Sequence, residues 1–321
     1  KSWIEAQNAL SQPFLEQIPE RKKIKMRLTE LWNYERYGIP FKEGGKYFYT
    51  RNDGLQDQSV LYVAASIDAE PRVLIDPNTF REDATVSLAG YGVSHDGGYI
   101  AYSLSDGGSD WKTWRIRDVE SCVDLNDELR FTKFTGVSWS KDNVGFYYSR
   151  YPSDEAGEGD GTQTVSIYYH VVGEEQKSDK QIYSIPNHPD RNPYGYVTED
   201  GRYLIINVHE GYNTNGVYYA DLHSQNTEIV HLLDAWDALY NFLGNDGPTF
   251  YFQTDHNAPL SRIIAIDIRR SQPENWNEII PEADQAMQNT ALVGGHFIAR
   301  YLRDAKAYVV VYDKQGNQVR E

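Results

Sequence analysis

The 321-residue chain is 40% hydrophobic and 13% aromatic, with 25 tyrosines, and its formal net charge is −16. That balance argues against nucleic acid, which needs a basic stripe, and aromatics in this number suit pleated strands better than helices. The one cysteine, Cys122, excludes an internal disulfide and fits a reducing compartment, while no apolar run approaches the ~18 residues of a membrane span.

Residues 1–33 differ in kind from the rest. Ser2 and Glu5 form an S-x-x-E capping box ahead of Trp3, Ile4, Ala6, Ala9 and Leu10. Pro13 is expected to end or kink that helix. Pro19 then opens a second helical stretch, with Ile24, Leu28, Leu31 and Trp32 at helical spacing.

From Tyr37 onward one unit repeats. Lys42-Glu43-Gly44-Gly45 precedes KYFYTRN, with SVLYVAA and RVLIDP after it. Asp96-Gly97-Gly98 leads into YIAYSLSD, Ser140-Lys141-Asp142-Asn143 into VGFYYSRY, and Glu199-Asp200-Gly201 into RYLIINVHE. Asn245-Asp246-Gly247 precedes PTFYFQTD, and Gly294-Gly295 precedes HFIARYL. Asp-Gly and Gly-Gly supply the positive φ angles of tight hairpin turns, and the segments between them are rich in β-favouring residues. The unit returns every ~45–60 residues, a period that marks propeller blades or another repeat array. Each of six units offers three clear strands and room for a fourth, as a blade requires. The expectation is an all-β propeller over residues 34–321, preceded by the helical segment 1–33. A propeller closes without a helical prefix, so those helices are expected to cover something beside it, either its side or a second domain, with a simple N-terminal cap as the alternative. The third unit is interrupted by Asp154–Thr164, acidic and Gly-rich, which reads as a solvated loop with a ligand lid as the alternative.

No catalytic motif is present. G-x-S-x-G, H-E-x-x-H, C-x-x-C and P-loop patterns are all missing, and no pattern calls for a metal or cofactor. The eight histidines are scattered: His95 lies beside a turn, His170 at a strand end and His209 before Glu210-Gly211, positions that read as surface or turn roles.

Longer runs carry more. WIEAQN, PFLEQIPER, KMRLTELWNY, KYFYTRNDGLQDQSVLYV, RVLIDPN, GYGVSHDGGYIAYSLSDGGSDW and YYSRYP together resemble the prolyl oligopeptidases over essentially the whole chain. NDGLQ-x-Q and S-x-x-G-S-D-W are the most specific of these. The resemblance implies a seven-bladed-type propeller, of which about six blades are expected here, covering an α/β-hydrolase domain. It implies cleavage of short peptides after proline by a Ser-Asp-His triad in that hydrolase domain, which follows the propeller and is expected to be absent from this chain. The propeller would admit oligopeptides and exclude folded proteins, and alone it should be inactive. Implied partners are proline-containing oligopeptides and the hydrolase domain, with no nucleic acid, membrane or cofactor; the implied location is cytoplasmic, with the periplasm as the alternative.

For site residues the resemblance implies Phe134, aligned on FTKFTGVSW, as an aromatic contact to a substrate residue neighbouring the proline; without the resemblance a core strand aromatic is nearly as good a reading. Aligned on NVHEGY, His209 falls where some relatives carry a carbonyl-binding arginine, and Tyr212 where they carry a small cysteine. A further apolar contact falls around Asn192 to Tyr194, and Asp154–Thr164 corresponds to a mobile family loop. Two rivals stand beside this reading. One is a non-catalytic peptide- or protein-binding propeller, expected to be a closed disc. The other is a related peptidase such as oligopeptidase B or a dipeptidyl peptidase; the latter needs an acidic pair for a substrate amino terminus, and no such motif stands out.

Overall fold

The computed structural model of the protein describes residues 1–152 and 164–321. Six antiparallel meanders follow one another along the chain, each of four successive strands, and the first strands of neighbouring blades pack together around a hub. This is β-propeller architecture. Blade 1 comprises Phe41–Glu43, Lys46–Asn52, Val60–Ala64 and Arg72–Ile75, with Arg36–Tyr37 extending its first strand across Gly38 and Pro40. Blade 2 comprises Val86–Val93, Tyr99–Asp106, Trp111–Asp118 and Asp124–Lys133, and blade 3 Val137–Trp139, Gly145–Arg150, Ser166–Val171 and Lys180–Ser184. Blade 4 is Arg191–Val197, Tyr203–Glu210, Thr214–Asp221 and Ile229–Leu233; blade 5 is Tyr240–Asp246, Thr249–Thr254, Arg262–Asp267 and Asn277–Ile280. Blade 6 is Ala286–Val293, His296–Arg303, Lys306–Asp313 and Gln318–Arg320. The fourth strand, for which the sequence pattern left only room, is present in all six.

The turn joining first to second strand is built by one chemistry in blades 2 to 4. The Ser94, Ser140 and Thr198 hydroxyls each donate to the carboxylate two residues on, at 2.6 Å, and the Gly98, Val144 and Arg202 amides donate to the same Asp96, Asp142 and Asp200 carboxylates. These are Asx-type turns that satisfy backbone donors locally. Neighbouring turns then grip one another around that mouth. Lys46 donates to the Gly97 carbonyl, the Asp96 amide to Asn143, Asn245 to Asp200, and Lys314 to Asp246.

Five apolar cores lie in the five seams between successive blades; Phe48, Leu61, Ile100 and Tyr102, for example, are fully buried between blades 1 and 2. Strands flanked on both sides are buried on both faces: Thr249–Thr254 and Tyr203–Val208 are buried almost throughout, polar Gln253 and Thr254 included. The second strand of blade 6 instead alternates, with Phe297, Ala299 and Tyr301 buried and Ile298 and Leu302 exposed. Among the described residues no apolar core joins blade 6 to blade 1.

The helices depart from expectation in two details. α1 spans Ser2–Glu16 and runs through Pro13, and α2 spans Arg21–Trp32. Lys1, not Ser2, is the N-cap, and no side chain caps it. Pro13 has no N–H to give to the Ala9 carbonyl, yet the helix continues past it for three residues, and the Pro13 carbonyl accepts from the Gln17 amide at 3.2 Å. No helix among the described residues is long and apolar enough to cross a membrane.

Candidate functional site

Meander topology sends every turn between second and third strand, and every linker between blades, to one face of the disc, opposite the interlocked turns. Three features of interest lie there. The first is Phe134, in the linker that follows Asp124–Lys133. Its φ is +53°, a left-handed conformation that costs an L-residue with a Cβ about 1–2 kcal/mol. It is 63% exposed, so the core-strand reading is wrong. The Lys133 ammonium lies 5.0 Å from the Phe134 ring centroid and 5.6 Å from that of Trp111, and 3.7 Å from the Asp110 carboxylate. Trp111 in turn meets Tyr151 edge to face at 5.3 Å. An exposed aromatic held in a strained backbone beside a cation and two further rings is an arrangement suited to gripping an apolar ligand group.

The second feature is at blade 4. His209 pairs across the sheet with Asn192 and contacts the Tyr194 ring edge to face at 5.9 Å. Burial pulls the His209 pKa below its usual value, so at neutral pH it is an uncharged donor or acceptor rather than a substitute for an arginine's charge. Tyr194 is half-buried; burial, with a contribution from the Tyr151 phenol, raises its phenol pKa. Tyr212, at the tip of the next turn, is 94% exposed and has no ring or hydrogen-bond partner among the described residues. Phe134 stands with Lys133 and Trp111, His209 with Asn192 and Tyr194, and Tyr212 apart from both. Trp111, Lys133 and Tyr151 were not singled out as individual contacts from sequence, whereas Tyr194 closes the Asn192 to Tyr194 stretch where a further apolar contact was expected; the S-x-x-G-S-D-W run, which ends in Trp111, was the sequence signal nearest to the others. The loop reading of Asp154–Thr164 lies, up to residue 163, outside the described residues.

The third feature is apolar. Neither helix has a buried residue. Leu15, Ile18, Ile24, Leu28 and Trp32 line a groove of about 530 Å³ that also takes in Leu55, from the blade 1 turn on this same face. Arg36 fastens the helices to that turn: its guanidinium donates to the Trp32 carbonyl, to Asn52 and to the Gly54 carbonyl, each at 3.0 Å, and lies over the Trp32 and Tyr34 rings. Among the described residues no group of three or more His, Cys, Asp or Glu side chains is placed to hold a metal ion.

Comparison with known proteins places this geometry. The family model for the prolyl oligopeptidase N-terminal β-propeller domain matches residues 1–321. The chain is 37% identical to a prolyl endopeptidase of Elizabethkingia miricola over 323 residues, covering all of this chain and 45% of that protein. It is 30% identical to a dual function macrocyclase-peptidase of Galerina marginata, covering 99% of this chain and 47% of the relative. Among solved structures, a prolyl endopeptidase superposes with a TM-score of 0.82 at 31% identity, covering 99% of this chain and 46% of the other. Prolyl oligopeptidase B of Galerina marginata, bound to a 35mer hydrolysis and macrocyclization substrate, gives a TM-score of 0.90 at 28% identity, with 99% and 48% covered. The chain therefore spans about half the length of the relatives it matches.

Proposed function

The chain belongs to the prolyl oligopeptidase family as its N-terminal β-propeller domain, and from that premise we propose that it is the gating portion of a serine endopeptidase that cuts short peptides on the carboxyl side of proline. One observation carries the reading: the strained, exposed Phe134 and the uncovered helix groove fall on the same face of the disc. In this reading a hydrolase domain covers that face, seating on α1 and α2, and a peptide bound between the two domains meets the rings around Phe134. The hydrolase supplies the nucleophile, whose attack on the proline carbonyl breaks the following C–N bond, releases the downstream amine and leaves an acyl-enzyme that water then hydrolyses. The propeller supplies orientation and selects by access, which lowers a barrier without any reacting group.

The test is full-length protein, labelled with a fluorophosphonate and assayed on a length series of proline-containing peptides. Labelling, cleavage after proline, and a rate that collapses for long or folded substrates are expected. Absence of labelling, or indifference to substrate length, overturns the reading.

A further inference from the structure

The strand that ends at Phe134 is also the strand that reaches a wholly buried charge cluster. Asp127 on that strand faces His170, on the third strand of blade 3, with 2.9 Å between Oδ1 and Nε2. On the other side of the imidazole, Nδ1 lies 2.7 Å from Asp179 Oδ1. The three side chains are at most 1% exposed. Tyr148 donates its hydroxyl to Asp179 at 2.5 Å, and the Gly173 amide donates to Asp127 at 2.6 Å. The remaining neighbours are the Phe146 ring, 5.4 Å from the imidazole, and Arg150, whose charge acts on Tyr148. Asp127 Oδ2 has no hydrogen-bond partner among the described residues.

Proton counting decides the charge state. A neutral imidazole carries one N–H and cannot donate to carboxylates on both sides. Two carboxylates buried together need a cation between them, because unpaired buried charge is far costlier than a paired one. His170 is therefore an imidazolium. Burial alone would depress its pKa, but the hydrogen bonds and charges of Asp127 and Asp179 outweigh that and hold the proton up to about 9. The position that reads from sequence as a surface or turn histidine is wholly buried in the seam.

The cluster does more than join two blades. Gln176 extends it: its amide donates to Tyr148 Oη and to the Arg130 carbonyl, and its oxygen accepts from the Arg130 amide. The strand is thus gripped at Asp127 and at Arg130. Immediately beyond come the two left-handed residues, Phe131 with φ +62° and Phe134 with φ +53°. Strained backbone persists only where its surroundings over-determine it, and this double grip is the surrounding structure on the blade 3 side.

We propose that His170 is a positioning residue for Phe134: clamped between Asp127 of blade 2 and Asp179 of blade 3, it pins the strand Asp124–Lys133 and so sets where the strained linker projects the Phe134 ring. The functional consequence rests on the reading of Phe134 as a peptide contact. Loss of the proton leaves two buried carboxylates facing an imidazole that has a single N–H, so the seam loosens and the ring moves.

The test uses full-length protein with 4-fluorophenylalanine at position 134 in a Lys133→Met background, which removes titration of the neighbouring ammonium. The fluorine resonance and the His170 ring ¹⁵N resonances are followed together against pH. Both are expected to shift with one midpoint near 9, and the fluorine transition is expected to vanish in His170→Asn. Should that variant not fold, Asp127→Asn carries the test by lowering both midpoints together, by about one unit or more. A fluorine resonance that stays still while His170 titrates, or whose midpoint ignores Asp127→Asn, overturns the proposal. If fluorine follows His170 but Phe134→Ala cleaves proline peptides normally, the positioning role stands and the reading of Phe134 as a peptide contact falls.

Discussion

Replacing Phe134 by glycine and by alanine separates strain from contact. At φ +53° alanine keeps the left-handed penalty of about 1–2 kcal/mol, which glycine escapes. Glycine's extra freedom in the unfolded chain returns roughly 0.5–1 kcal/mol of that. The difference leaves the glycine variant more stable than the alanine variant by about 0.5–1 kcal/mol, the reverse of the usual order. Both lose the same packing, which is modest because the residue is 63% exposed. That exposed part is what a peptide would cover. For an aromatic side chain of ~150–250 Å², covering half to all of the 63% that is exposed, at ~25 cal/mol/Å², amounts to about 1–4 kcal/mol. A loss of about ten- to a hundredfold in kcat/KM is therefore expected for both variants in the full-length protein, at the centre of that range. Urea unfolding at constant m gives the stability order, and a proline-peptide reporter gives the kinetics. An alanine variant as stable as the glycine variant refutes the strain, and an unchanged kcat/KM refutes the contact.

Three further outcomes follow from particular residues. The His170 pKa rises from about 6.5 unfolded to about 9 folded, so its contribution is complete below ~6.5 and is lost as pH climbs to ~9, by about 3 kcal/mol; urea midpoints at pH 6.5 and 9.5 should show this fall in the parent and not in His170→Asn. Gly44→Ala combines a left-handed φ of +53° with a Cβ that would collide with the Asp96 carbonyl, whereas at Gly107, φ +58°, a Cβ meets open space. The first should cost more than about 2 kcal/mol and the second about 1, and equal losses in Tm would show that no clash exists at the first seam. Tyr212→Ala should leave stability within about 0.5 kcal/mol, since the side chain is 94% exposed; an unaltered KM for proline peptides would remove Tyr212 from the site.

Blade count was legible because each blade announces itself by a turn. Ser94-x-Asp96, Ser140-x-Asp142 and Thr198-x-Asp200 satisfy their own backbone donors within five residues, so the signal is local. The fourth strands were faint for the opposite reason. Gln318–Arg320 is exposed throughout and Lys180–Ser184 nearly half exposed, and an outer strand with little to bury carries no apolar pattern. The helix boundaries misled by small margins: the N-cap falls one residue before Ser2, and Pro13 lies in the last turn, so the helix stops only three residues beyond the expected break. His170 was the largest misreading. Its partners stand 43 residues before it and 9 after it, and no spacing rule connects an imidazole on one blade to a carboxylate on the next. Phe134 could be placed by resemblance, but its backbone strain and its cation were visible only in three dimensions.

Each of the five described cores is shared by two successive blades. Freeing a blade that is flanked on both sides therefore breaks two interfaces at once. With coupling confined to nearest neighbours, a substitution that loosens one core raises amide exchange in both blades that share it and leaves the more distant seams protected.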